Sequence, residues 1–179
     1  MGGDSLCAGW TVRDVAAHTL AYLDQSLPRL TVAMLRARGD VDGLNRTALE
    51  AGARLAPAEL ATRMRHGSRP AGAGALYGGR VALIECLVHQ QDIRRPLGLR
   101  RQIPEPRLVA AMNYARASPV IGAARRTRGV RLIATDIDWS AGSGEPVHGR
   151  AEALLLAMTG RVSAVAPELA GAGVTLLPW

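Results

Sequence analysis

Apolar residues recur at three- and four-residue spacing through most of residues 1–120, and only one later stretch, Val130–Trp139, alternates like a half-buried strand. That contrast predicts a mainly α chain: a helical bundle over 1–120, then a small α+β domain over 121–179. Thr11 and Asp14 have the spacing of a capping box, which starts a helix running to about Arg38, kinked at Pro28 and ended by Gly39. Val15, His18, Tyr22 and Gln25 share one face of it, and Leu20, Leu23, Leu27 and Leu30 fill an adjacent stripe. Further helices are expected over about 44–55 and 57–66, the second with Pro57 in its first turn. The Gly/Ala/Pro-rich run Gly67–Gly79 has no periodicity and reads as a loop, whereas Arg80–Ile93 reads as a helix stopped by Pro96 and Gly98. Beyond it the pattern gives a helix over Glu105–Ser118, the strand Val130–Trp139, a turn at Ala141–Gly144 and a helix over Gly149–Thr159. A short helical piece and the apolar tail Val174–Leu177 follow.

Composition narrows the function. With 179 residues, 48% hydrophobic and 21% charged, the chain has ordinary globular composition. No segment approaches the roughly 18 unbroken apolar residues of a membrane span. Met1–Trp10 has neither a basic stretch nor an apolar core, so no signal peptide is expected. Two cysteines, Cys7 and Cys86, cannot build a disulfide framework, which points to a reduced, cytoplasmic protein. The net charge of +7 is carried by arginine alone and is uneven: residues 61–131 hold fourteen Arg against three acids. Such a segment attracts anions. With only 3% aromatic residues there is no platform for base stacking, and no zinc-finger or RNA-binding spacing occurs, so nucleic acid is not the expected partner.

Glu85 and His89 lie four apart on one helix and therefore on one face, where carboxylate and imidazole can share a divalent ion. A pair at this spacing is more often a surface contact, and a catalytic zinc site needs three protein ligands and an open position. His18, flanked by apolar residues on its own helix, sits where a ligand in a bundle core belongs. His66, at a helix end, and His148, in a Gly/Pro-rich stretch, do not.

Longer motifs surround these residues. Ser5-Leu6-Cys7-Ala8-Gly9-Trp10-Thr11-Val12-Arg13-Asp14-Val15-Ala16-Ala17-His18 resembles the entry motif of the mycothiol-dependent maleylpyruvate isomerase family, within the DinB-like metal-binding four-helix bundles. The segment from Glu85-Cys86-Leu87-Val88-His89 through Asp92 to Gly98 resembles its second motif. Thr135–Trp139, Gly149–Leu154 and Thr159-Gly160-Arg161 resemble parts of its small C-terminal domain. The resemblance implies a DinB-like up-down bundle and one divalent metal, commonly zinc, held by His18, Glu85 and His89. Members usually carry a whole helix ahead of the Trp motif, where this chain has nine residues. A bundle without that first helix leaves an apolar groove, so the expectation is either a partner chain covering it, as in a homo-oligomer, or a natural start further upstream.

In that family the cosubstrate is mycothiol, a low-molecular-weight thiol. Its thiolate adds to the cis double bond of maleylpyruvate, the resulting single bond rotates, and elimination gives the trans product. The resemblance thus implies a small anionic or electrophilic substrate and either cis–trans isomerisation or thiol transfer. Arg161 is the candidate clamp for a substrate carboxylate; its plain alternative is a surface arginine at a helix end. Asp92, one turn beyond His89, either orients a ligand imidazole or pairs with Arg95. Cys86 points away from Glu85 into packing, Cys7 reads as structural, and Trp10 staples the helix start. The alternative class is a non-catalytic bundle that binds a metal or a small anion.

Overall fold

The computed structural model describes residues 3–23, 26–66 and 71–179. They form two compact units, Met1–Arg100 and Arg101–Trp179. The division falls twenty residues before the expected boundary at 120, because the helix over Glu105–Ala117 packs on a helix at Ala151–Met158 in the second unit.

The first unit is helical: α1 (Val12–Leu23), α2 (Leu27–Arg36), α3 (Val41–Ala53), α4 (Pro57–His66) and α5 (Leu76–Arg94), with a 3₁₀ turn at Gly72–Ala75 ahead of α5. The capping box that opens α1 is formed as expected. Thr11 Oγ1 accepts from Asp14 N at 3.2 Å, and Asp14 Oδ2 accepts from Thr11 N at 2.9 Å. The long helix expected over 12–38 is instead two helices. Pro28 lies in the first turn of α2, where its missing N–H costs nothing, so it starts a helix rather than kinking one. Gln25, expected on the His18 face, lies outside the described residues. Gly39 ends α2 as expected, with φ +80° and its N–H on Met34 O at 2.9 Å.

Within the expected loop Gly67–Gly79, residues 67–70 lie outside the described residues. The remainder is structured. Tyr77, Gly78 and Gly79 have left-handed φ of 54°, 69° and 79° in the first turns of α5, so regular helix begins near Arg80. α1 is the hub: it packs against α3, α4, α5 and the 3₁₀ turn. Val12, Val15 and Ala17 of α1 and Ala82, Ile84, Leu87 and Val88 of α5 are buried. α2 buries no side chain and exposes Leu27, Val32 and Leu35.

The second unit contains α6 (Glu105–Ala117), α7 (Ala123–Arg126), β1 (Val130–Ala134), β2 (Ser140–Gly142), β3 (Glu145–Gly149), α8 (Ala151–Met158) and α9 (Val162–Val165). Its sheet has the order β2-β1-β3, with β1–β2 antiparallel and β1–β3 parallel. The chain gets from β2 to β3 by passing the start of β1. A Cβ on Gly142 would strike Val130 O and one on Gly144 would strike Gly129 O, while both residues have positive φ, 91° and 112°. Seven of the eight residues of α8 are buried, and Leu108, Ala111, Met112 and Ala115 of α6 complete this core. The strand expected over Val130–Trp139 ends at Ala134. Asp136 is engaged elsewhere, its Oδ1 accepting the N–H of Ala151 at 2.7 Å and so capping α8. Buried Trp139 donates its indole N–H to Asn113 Oδ1 of α6 at 2.9 Å. The apolar tail closes in a 3₁₀ turn, Ala172–Leu176.

Candidate metal centre

α1 and α5 pack against each other, and their facing surfaces carry the chemistry. His18 stands one turn after Val15 on α1; the two are 5% and 0% exposed. On α5, Glu85 and His89 are one turn apart, and Asp92 follows three residues later. Glu85 Oε2 lies 3.7 Å from His18 Nε2 and 3.2 Å from His89 Nε2. One ligand atom from each of His18, Glu85 and His89 lies within 4.8 Å of the other two. The two imidazoles meet edge to face, ring centres 4.8 Å apart, and Trp10 meets His18 the same way at 5.1 Å. Trp10, expected at the helix start, therefore packs on His18.

Asp92 is fully buried, and its Oδ2 lies 2.8 Å from His89 Nδ1. This geometry provides the first of its two expected roles, orienting an imidazole. With Nδ1 donating to Asp92, Nε2 is turned toward Glu85 and His18. Cys7, expected to be merely structural, donates its thiol to the same Asp92 oxygen at 3.1 Å. His89 thus joins two clusters of potential ligands, one with His18 and Glu85 and one with Cys7 and Asp92.

The charges are strongly coupled. Burial alone raises the pKa of Glu85, but hydrogen bonds and charge from His18 and His89 outweigh it and hold the carboxyl at about 2. Burial alone lowers the pKa of His89, but Asp92 first, then Cys7 and Glu85, push it up to about 11. Without a metal, the pair is an imidazolium between two carboxylates.

Of the other two histidines, His66 is exposed at the end of α4. His148 belongs to β3 of the second unit, where its backbone pairs with Ala170. Cys86 is half-buried. Neither histidine nor Cys86 joins a cluster of potential ligands among the described residues. Arg161 lies in the second unit, just before α9, and donates from Nη1 to Thr159 O at 2.7 Å.

Residues 1–94 match the family described as mycothiol maleylpyruvate isomerase N-terminal domain. The chain belongs to this mycothiol maleylpyruvate isomerase N-terminal domain family. The match ends at Arg94, the last residue of α5, and so takes in every side chain of both clusters. No curated protein and no solved structure matches the chain. No helix among the described residues is long and apolar enough to cross a membrane.

Proposed function

We propose that the chain is a metal-dependent enzyme using mycothiol, an isomerase or thiol transferase, with the metal held by His18, Glu85 and His89. The convergence of those three side chains on one point carries the reading. Two imidazole nitrogens and a carboxylate suit zinc and leave a position open for catalysis. The charge also suits an ion, since a divalent cation can replace the proton that His89 carries between Glu85 and Asp92. Bound there, a divalent ion supplies the positive charge that ionises a thiol near neutral pH.

The chain's own residues divide the work in this reading. Glu85 is the anionic ligand, Asp92 keeps His89 Nε2 facing the shared point, and the Trp10 ring shields His18 from water. Arg161 binds a carboxylate of the substrate. In support, Arg126 loses basicity to burial and to the nearby charges of Arg125 and Arg161, so positive charge is concentrated around Arg161. The substrate class is an anionic electrophile with a double bond conjugated to a carbonyl, open to thiolate addition.

Metal analysis of the purified protein followed by a mycothiol-dependent assay tests the reading. One equivalent of zinc and turnover that requires both zinc and thiol are expected. A chain that binds no divalent metal would end the proposal. Tight metal binding without thiol-dependent turnover on any such electrophile would favour the non-catalytic alternative.

A further inference from the structure

The turn ahead of α1 touches both imidazoles of the centre. Ser5 Oγ donates to Trp10 O at 2.8 Å and accepts from Cys7 N at 3.1 Å, and Trp10 N donates to Cys7 O at 3.0 Å. Asp4 bridges to Thr11, so the segment is closed on itself. From this closed turn Trp10 reaches His18 and Cys7 reaches Asp92. The turn is also tied to α5 through its backbone, Leu6 N donating to Asp92 O at 3.0 Å.

A fully buried carboxylate needs donors that fix it, or it rotates to find others. Asp92 Oδ2 has two in place, His89 Nδ1 and the Cys7 thiol. We infer that Cys7 is a positioning residue of the metal centre: its thiol holds Asp92 in the orientation that turns His89 Nε2 toward His18 and Glu85. This rests on the metal reading above. It assigns Cys7 a role through another residue, with no contact to substrate.

A double-mutant cycle on the full chain tests it, with Co²⁺ affinity as the readout. Replacing a partner that orients a metal ligand typically weakens binding about 10- to 100-fold, and Asp92→Asn is expected within that range. Cys7→Ala, one step further out, is expected to lose less, about three- to tenfold, and Cys7→Ser, which keeps a donor, to recover most of it. Cys7→Val, close in size and without a donor, is measured beside Cys7→Ala, so that a cavity is not mistaken for the loss of a hydrogen bond. In the Asp92→Asn background Cys7→Ala and Cys7→Val are expected to weaken binding clearly less than in the unsubstituted chain, because the main group through which Cys7 acts is gone and only its own contact with His89 is left. An equal loss in both backgrounds, or a serine variant as weak as the alanine one, would overturn the role of Cys7. Failure of the unsubstituted chain to bind Co²⁺ would overturn the metal reading and this inference together, and shows before any substitution is made.

Discussion

At the scale of single residues, Glu85 and His89 make metal-free stability depend on pH in a predictable direction. The Glu85 carboxyl falls from 4.5 to about 2 on folding, so its contribution is complete above about 4.5 and is lost as pH falls toward 2. The His89 imidazole rises from 6.5 to about 11, so its contribution is complete below about 6.5 and is lost as pH rises through 11. The two share the Glu85–His89 contact and so are not fully independent gains, although after burial the largest cause is Asp92 for His89 and His18 for Glu85. The metal-free protein should therefore melt highest between about pH 4.5 and 6.5, with a decline on either side. Glu85→Gln should flatten much of the acid side. A melting temperature level from pH 3 to 9 in the unsubstituted chain would contradict the coupling, because the pair would then contribute little. Metal binding is expected to reverse the alkaline trend: the ion takes the place of the His89 proton, so affinity should rise with pH across the neutral range. Isothermal titration in buffers of different ionisation enthalpy would count the released proton; no release at neutral pH would place the metal elsewhere.

Helices and strands depend on a few close approaches that periodicity does not reveal. α1 and α3 meet where a Cβ on Gly52 would strike the Cβ of Ala17. Gly52→Ala should therefore destabilise the first unit by about 1–3 kcal/mol through overpacking, despite alanine's better helix propensity. Urea unfolding measures this, and a stabilised variant would mean the two helices do not meet there. The start of α1 was legible from Thr11 and Asp14 because a capping box is local chemistry. His18, Glu85 and His89 were legible as a set because two motifs place them, and the helical fold because apolar spacing runs through residues 1–120. The break before α2 was not, since Leu23, Leu27 and Leu30 keep a helical spacing across it and a proline can bend one helix or start another. The early end of β1 was hidden for a similar reason. The alternation continues to Trp139, but Asp136 is drawn away to cap α8, a partner fifteen residues along the chain. The link from Cys7 to Asp92 was not legible, because the two lie 85 residues apart and meet only once the turn before α1 has closed.

For the whole molecule, the division at Arg100 separates two cores that rest on different physics. The first unit is built around α1, and its interior includes an imidazolium and two carboxylates whose charges must be balanced. The second encloses an almost entirely apolar helix, α8, with an α6 face and the strands β1 and β3. An ion bound to His18, Glu85 and His89 adds stability only to conformations that keep α1 and α5 together. At a hundred times its dissociation constant that gain is about 2.7 kcal/mol, close to a hundredfold slowing of exchange for amides that need this unit to open. Hydrogen exchange with and without zinc should therefore show added protection over 12–23 and 80–94. Peptides from β1, β3 and α8 should exchange at unchanged rates, because each core opens with its own free energy. Equal slowing across all 179 residues would show instead that the chain opens as one cooperative body, in which case removing the metal would also loosen the segment around Arg161.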